Sequence, residues 1–150
     1  MTLFPDLADY RIVLVDDRAE TTGMISAIFS AAGVALTVAN AIDAAARLIR
    51  VYRPHVVLVA TAIAGEPFAV VEAAQHDGVP VLGLDLGSAG PEISDRLGRQ
   101  YGVAVVGNVD EPEALCHAAK RTADRERARE DRGWSVLGRP SPYGSVAQGL

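Results

Sequence analysis

Carboxylates follow two of the most apolar stretches of the chain. "RIVLV" (11–15) runs into Asp16-Asp17, and "VPVLGLD" (79–85) ends in Asp85. Adjacent carboxylates at the mouth of a buried strand repel one another, and a divalent cation is the usual remedy. Mg²⁺ keeps several waters and needs only one or two carboxylates, so Asp16, Asp17 and Asp85 are candidate ligands if they converge. The competing reading of the acidic dipeptide is a solvated turn that caps the helix after it. A third apolar stretch, "HVVLVA" (55–60), ends in Ala60 and is followed by Thr61. Ala60 offers no nucleophile. A threonine needs a general base, and neighbouring strand residues point to opposite faces. The segment "GLDLGSAGPE" (83–92) brings Gly83, Gly87 and Gly90 to the start of a helix, where backbone N–H groups can receive an anion. It matches neither the Walker pattern nor GxGxxG.

Other chemistries find little support. His55, His76 and His117 fall at a strand start, a helix end and within a helix, and their spacing is not that of metal ligands. Cys116 is the only cysteine, so an internal disulfide is excluded and a thiolate metal site cannot be built. The net charge of −5 gives nucleic acid no general attraction. No run approaches the roughly 18 apolar residues of a membrane span. The first residues, "MTLFPDLADYR", lack the basic start of a signal peptide, so the cytoplasm is the expected location. An enzyme is not expected.

The elements that must position these residues are legible from periodicity. Valine-rich runs at 11–15, 34–38, 55–60, 79–85 and 102–107 lack strict alternation, as strands covered on both faces should. Between them, Met24, Ile25, Ile28, Phe29 and Ala32 repeat at helical steps and stop at Gly33. Ile42, Ala45, Ala46, Ile49 and Tyr52 form a second stripe ended by Pro54. Asn40 with Asp43, and Asp110 with Glu113, have capping-box spacing for helices two and five. Helix three is expected near 67–76 and helix four near 91–101, with Pro91 in the first turn. Strands alternating with helices predict an α/β fold: a flavodoxin-like, doubly wound, five-stranded parallel sheet in order 2-1-3-4-5 with five helices. The expected core includes Val13, Leu14, Ile28, Phe29, Ile49, Val57, Leu58, Val81, Leu82, Val105 and Leu115.

That domain spans 11–123, after an N-terminal extension at 1–10. Helix five starts amphipathic, with Leu115, Ala118, Ala119 and Thr122 on one side. Residues 124–132, "DRERAREDR", lose the stripe and read as a charged helical extension without a coiled-coil seam. Residues 133–150 are rich in Gly, Pro and Ser and read as a flexible tail or linker. Trp134, Val136, Leu137 and Tyr143 are candidate anchors if that tail docks.

"RIVLVDD", the spacing from Asp17 to Ala60, the Gly65 loop, "VPVLGLD" and "GNVDEPEAL" together resemble a response-regulator receiver domain over residues 11 to about 123. The resemblance implies two acids and a phosphorylated aspartate around Mg²⁺, then a hydroxyl residue, a lysine and a switching aromatic. The acid pair falls on Asp16 and Asp17. The phosphoacceptor falls on Ala60, the hydroxyl on Asp85, the lysine on Asn108 and the aromatic on Val105. Val109 replaces the proline of the family, and Lys120, the chain's only lysine, lies on helix five. The pattern is therefore that of a degenerate pseudo-receiver.

The expected function is a phosphorylation-independent module that binds a protein partner, or a second copy, through helix four, strand five and helix five. Glu92, Asp95, Arg96, Arg99, Tyr101 and Val105 would form that face. The alternatives are the receiver half of an atypical transcriptional regulator, or a small-anion or nucleotide sensor built on the 83–92 loop. No direct binding of nucleic acid or membrane is expected. No resident cofactor is expected either, weak Mg²⁺ binding at Asp16, Asp17 and Asp85 being the one exception the acids leave open.

Overall fold

The structure is a computed structural model that describes residues 6–65, 67–87, 91–107 and 111–137, with side chains described to Arg125. Strands and helices alternate: β1 (Ile12–Val15), α1 (Ala19–Ala31), β2 (Thr37–Ala39), α2 (Ile42–Tyr52), β3 (Val56–Ala60), α3 (Phe68–His76), β4 (Val81–Leu84), α4 (Pro91–Tyr101), β5 (Ala104–Val106) and α5 (Pro112–Leu137). All pairings are parallel and the strand order is 2-1-3-4-5. This is the flavodoxin-like arrangement expected from the sequence.

The valine-rich runs are buried on both faces. Ile12, Leu14, Val56, Leu58, Leu82 and Leu84 pack with Ile25 and Phe29 of α1 and Leu115 and Ala119 of α5. Val13, Val15, Val57, Val59 and Val81 point the other way, into a cluster with Ile49 of α2, Val70 and Val71 of α3 and Leu97 of α4. Two helices cover one face and three the other, which is why alternation is missing from the strands.

Several expectations need correction. Ile28 and Val105 are half-buried rather than core residues, and Met24 is exposed. The apolar stripe of α1 is thus narrower than its sequence, centred on Ile25 and Phe29. Asn40 does not cap α2. The N-cap is Ala41, which makes no side-chain capping bond. Helix α2 ends at Tyr52, two residues before Pro54 and as expected, with Arg53 left-handed at φ 53°. A residue before proline avoids the helical region, and Arg53 absorbs the turn. Gly33 ends α1 with φ 92°, as expected.

Residues 6–10 are not a loose extension. Leu7 is fully buried among α1 and α5 residues, and its N–H donates to the carbonyl of Ala32 at 3.2 Å. Burying such a side chain contributes roughly 1.5–3 kcal/mol. At the other end, α5 does not stop at 132 but continues to Leu137, so Trp134, Val136 and Leu137 lie on its backbone. One glycine inside a helix costs only about 1 kcal/mol, which Gly133 leaves tolerable. Asp110 and Tyr143 lie outside the described residues. Among the described residues, no helix is long and apolar enough to cross a membrane.

Candidate functional site

The sheet brings Asp16, Asp17, Ala60, Thr61 and Asp85 to its carboxyl edge, but each acid has its own backbone or hydroxyl partner. Asp16 is 1% exposed. One of its oxygens, Oδ1, accepts the Arg18 N–H at 3.2 Å. The other, Oδ2, accepts the Thr21 hydroxyl and, at 3.3 Å, the Thr22 hydroxyl. All three donors belong to the first turn of α1 or the residue before it, where a negative charge also complements the helix dipole. Asp16 is thus tied to the start of α1, but as a buried carboxylate and not as part of a solvated turn.

Asp17 is exposed and reaches sideways. Its Oδ2 accepts the Ala64 N–H at 3.0 Å, linking the loop after β1 to the loop after β3. Asp85 folds back on its own loop, with Oδ1 accepting the Gly87 N–H at 2.9 Å. This is an Asx-type turn, and Gly87 supplies the positive φ of 89° that the chain needs next.

Ala60 and Thr61 are buried. Both the N–H and the hydroxyl of Thr61 donate to the carbonyl of Leu84, at 3.0 and 3.3 Å. The hydroxyl is thus committed to the β3–β4 seam and has no base beside it among the described residues. Asn108 lies outside the described residues.

Mg²⁺, which the resemblance implies, does not fit the residues present. Among the described residues no three His, Cys, Asp or Glu side chains are grouped to hold a metal ion, so Asp16, Asp17 and Asp85 do not form the three-carboxylate site. Ala60 supplies no third carboxylate at the end of β3, and the oxygens of Asp16 are taken by α1.

The expected partner face divides in two. Arg96 lays its guanidinium over the Phe68 ring, 4.0 Å from the centroid, and its Nε donates to Gln100 at 2.8 Å. Tyr101 stacks on Phe68 with centroids 5.6 Å apart. The Tyr101 hydroxyl donates to Glu72 at 2.7 Å, and Gln75 Nε2 donates to the Tyr101 carbonyl at 2.8 Å. The Glu72 carboxylate favours the protonated phenol and holds the Tyr101 pKa above its ordinary value. Arg96 and Tyr101 therefore also reach from α4 to α3, while Arg96 stays exposed as expected. Glu92, Asp95 and Arg99 are exposed, and Asp95 pairs with Arg99. Val105 is half-buried, and a Cβ on Gly83 would stand 3.0 Å from its Cγ2. The α3 contributors Phe68, Glu72 and Gln75 were not anticipated.

No family model and no curated protein sequence matches the chain. Solved structures do. NtrX from Brucella abortus in complex with ATP superposes with a TM-score of 0.72 at 19% identity, over 83% of this chain and 29% of that one. The receiver domain of NtrX from the same organism gives 0.66 at 20% identity, over 75% of this chain and 98% of that domain. The signal receiver domain of an HD domain-containing protein from Pseudomonas fluorescens Pf-5 gives 0.71 at 15%, over 88% and 96%. The chain has the receiver fold. It spans under a third of the longer NtrX chain and nearly all of the isolated receiver domains.

Proposed function

We propose that this protein is a non-enzymatic receiver-fold module of bacterial cytoplasmic signalling that binds a protein partner without being phosphorylated. The observation that carries this reading is the pairing of Ala60 at the end of β3 with a buried Asp16 whose oxygens are spent on α1. A phosphoryl switch needs a nucleophile and a metal to neutralise the transferred group. Ala60 offers no nucleophile, and the Asp16 oxygens already accept donors from the start of α1, which supports this reading. Val105 in place of a switching aromatic supports a face held in one state, which a partner meets preformed. The exposed charges of α4, Glu92, Asp95 and Arg99, are the groups offered to that partner, whether a different protein or a second copy of this chain.

The experiment is a two-dimensional NMR comparison with and without beryllofluoride and Mg²⁺, which together mimic an acyl phosphate on a receiver aspartate. The proposal expects superimposable spectra. Shifts spreading from β3 into α4 and β5 would overturn it.

A further inference from the structure

The amino ends of the strands, opposite the acids, hold a second polar cluster that the proposed function does not use. Its centre is Tyr10, whose hydroxyl donates to Asp124 Oδ1 on α5 at 2.7 Å. Lys120, one turn earlier on α5, donates to Asp124 Oδ2 at 2.9 Å and lies 5.8 Å from the Tyr10 ring centroid. The Tyr10 ring also meets His55 edge-on, with centroids 5.6 Å apart. The next residue continues the attachment. The Arg11 N–H donates to His55 Nδ1 at 2.8 Å, and the Arg11 guanidinium donates to the carbonyls of Tyr52 and Arg53 at the end of α2. Behind them, Leu7 is inserted between α1 and α5.

One short segment thus grips the ends of α1 and α2, the start of β3 and the middle of α5. Among the α5 residues whose side chains are described, which end at Arg125, the last buried one is Ala123, beside the Tyr10–Asp124 bond, and the helix runs on to Leu137. At 1.5 Å per residue, that is about 20 Å of helix beyond the grip. A helix that leaves its core pivots at the last point of attachment unless something bridges it from the side.

We infer that residues 6–11 are a clasp that fixes the direction in which α5 leaves the domain, making residues 125–137 a rigid arm set at a constant angle to the sheet. The clasp lies at the opposite end of the strands from Asp16 and Asp17, so the arm's direction does not depend on the acid pocket. This inference is independent of how the protein is regulated.

Spin labels at Val51→Cys, an 81% exposed position on α2, and at Glu130→Cys on the arm report the angle as a distance distribution. Cys116 is fully buried and stays unlabelled in the folded protein. The unmodified clasp should give one narrow distribution. Tyr10→Phe keeps the ring against His55 but loses the bond to Asp124, and should widen the distribution about twofold, as should Asp124→Asn. Asp17→Ala should leave it unchanged. Thermal melts confirm that each variant is folded. A broad distribution in the parent protein, or equal widths in the parent and both clasp variants, would overturn the clasp.

Discussion

The carboxylate of Asp17, in the loop after β1, accepts the backbone N–H of Ala64, in the loop after β3, at 3.0 Å. The bond joins the loops that follow the carboxyl ends of β1 and β3. Asp17→Asn keeps an acceptor oxygen and should be nearly neutral. Asp17→Ala should cost about 1 kcal/mol and raise hydrogen exchange at Ala64. Denaturant titration and amide exchange read the two effects, and equal behaviour of the Asn and Ala variants would contradict the bond's role.

Asp16 is the costlier acid to remove. Its loss removes the acceptor of the Thr22 hydroxyl and the Arg18 N–H and leaves the Thr21 hydroxyl only the Arg18 carbonyl, which should lower stability by about 1–3 kcal/mol. Because α1 already occupies the carboxylate, millimolar Mg²⁺ should not move the melting temperature of the parent protein. Calorimetric titration showing sub-millimolar Mg²⁺ affinity would contradict this account of the acids.

Alkaline pH tests the buried thiol and the clasp together. Burial, with a smaller contribution from Glu113, pushes the Cys116 thiol up to about 11. Desolvation and the bond to Asp124 raise Tyr10, and the same carboxylate raises Lys120. Each raised pKa favours the protonated form in the folded state. Their contributions are therefore complete below the unfolded values and are lost as pH rises through the folded ones. Stability should fall above about pH 9, where an unfolded thiol begins to ionise, and the fall should be shallower in Cys116→Ala and Tyr10→Phe. At pH 8 the folded protein should resist iodoacetamide, and rapid alkylation would contradict the burial.

The two arginines of α4 should separate. Arg99 is exposed and pairs with Asp95 on its own helix, so Arg99→Glu should change stability by less than about 1 kcal/mol while weakening partner binding. Arg96 lies on the Phe68 ring, so Arg96→Glu should destabilise the α3–α4 contact by about 1 kcal/mol. Thermal melts and a binding isotherm for each variant distinguish the two roles.

The sheet was legible because five valine-rich runs, separated by helical stripes, admit few arrangements, and the order 2-1-3-4-5 followed from them. Helix directions were less so. Arg96 and Tyr101 were expected on the partner face, but only packing shows that both reach Phe68 at the start of α3. Leu7 and Tyr10 sit in a short polar segment with no period to reveal them, and their partners on α5 are more than a hundred residues away. The acids were visible as a pair. What they bind was not, because the donors are two threonines and two backbone amides, groups that carry no distinctive pattern in sequence.

The central claim is that the end of β3 cannot be phosphorylated, and intact-mass spectrometry tests it most directly. Incubation with acetyl phosphate and Mg²⁺, followed by acid-free analysis, should return the unmodified mass for the parent protein. Ala60→Asp restores a carboxylate at that position and serves as the comparison, although Asp85 and Asn108 leave it without the rest of a switch. A mass increase of one phosphoryl group on the parent chain, labile to hydroxylamine, would contradict the account.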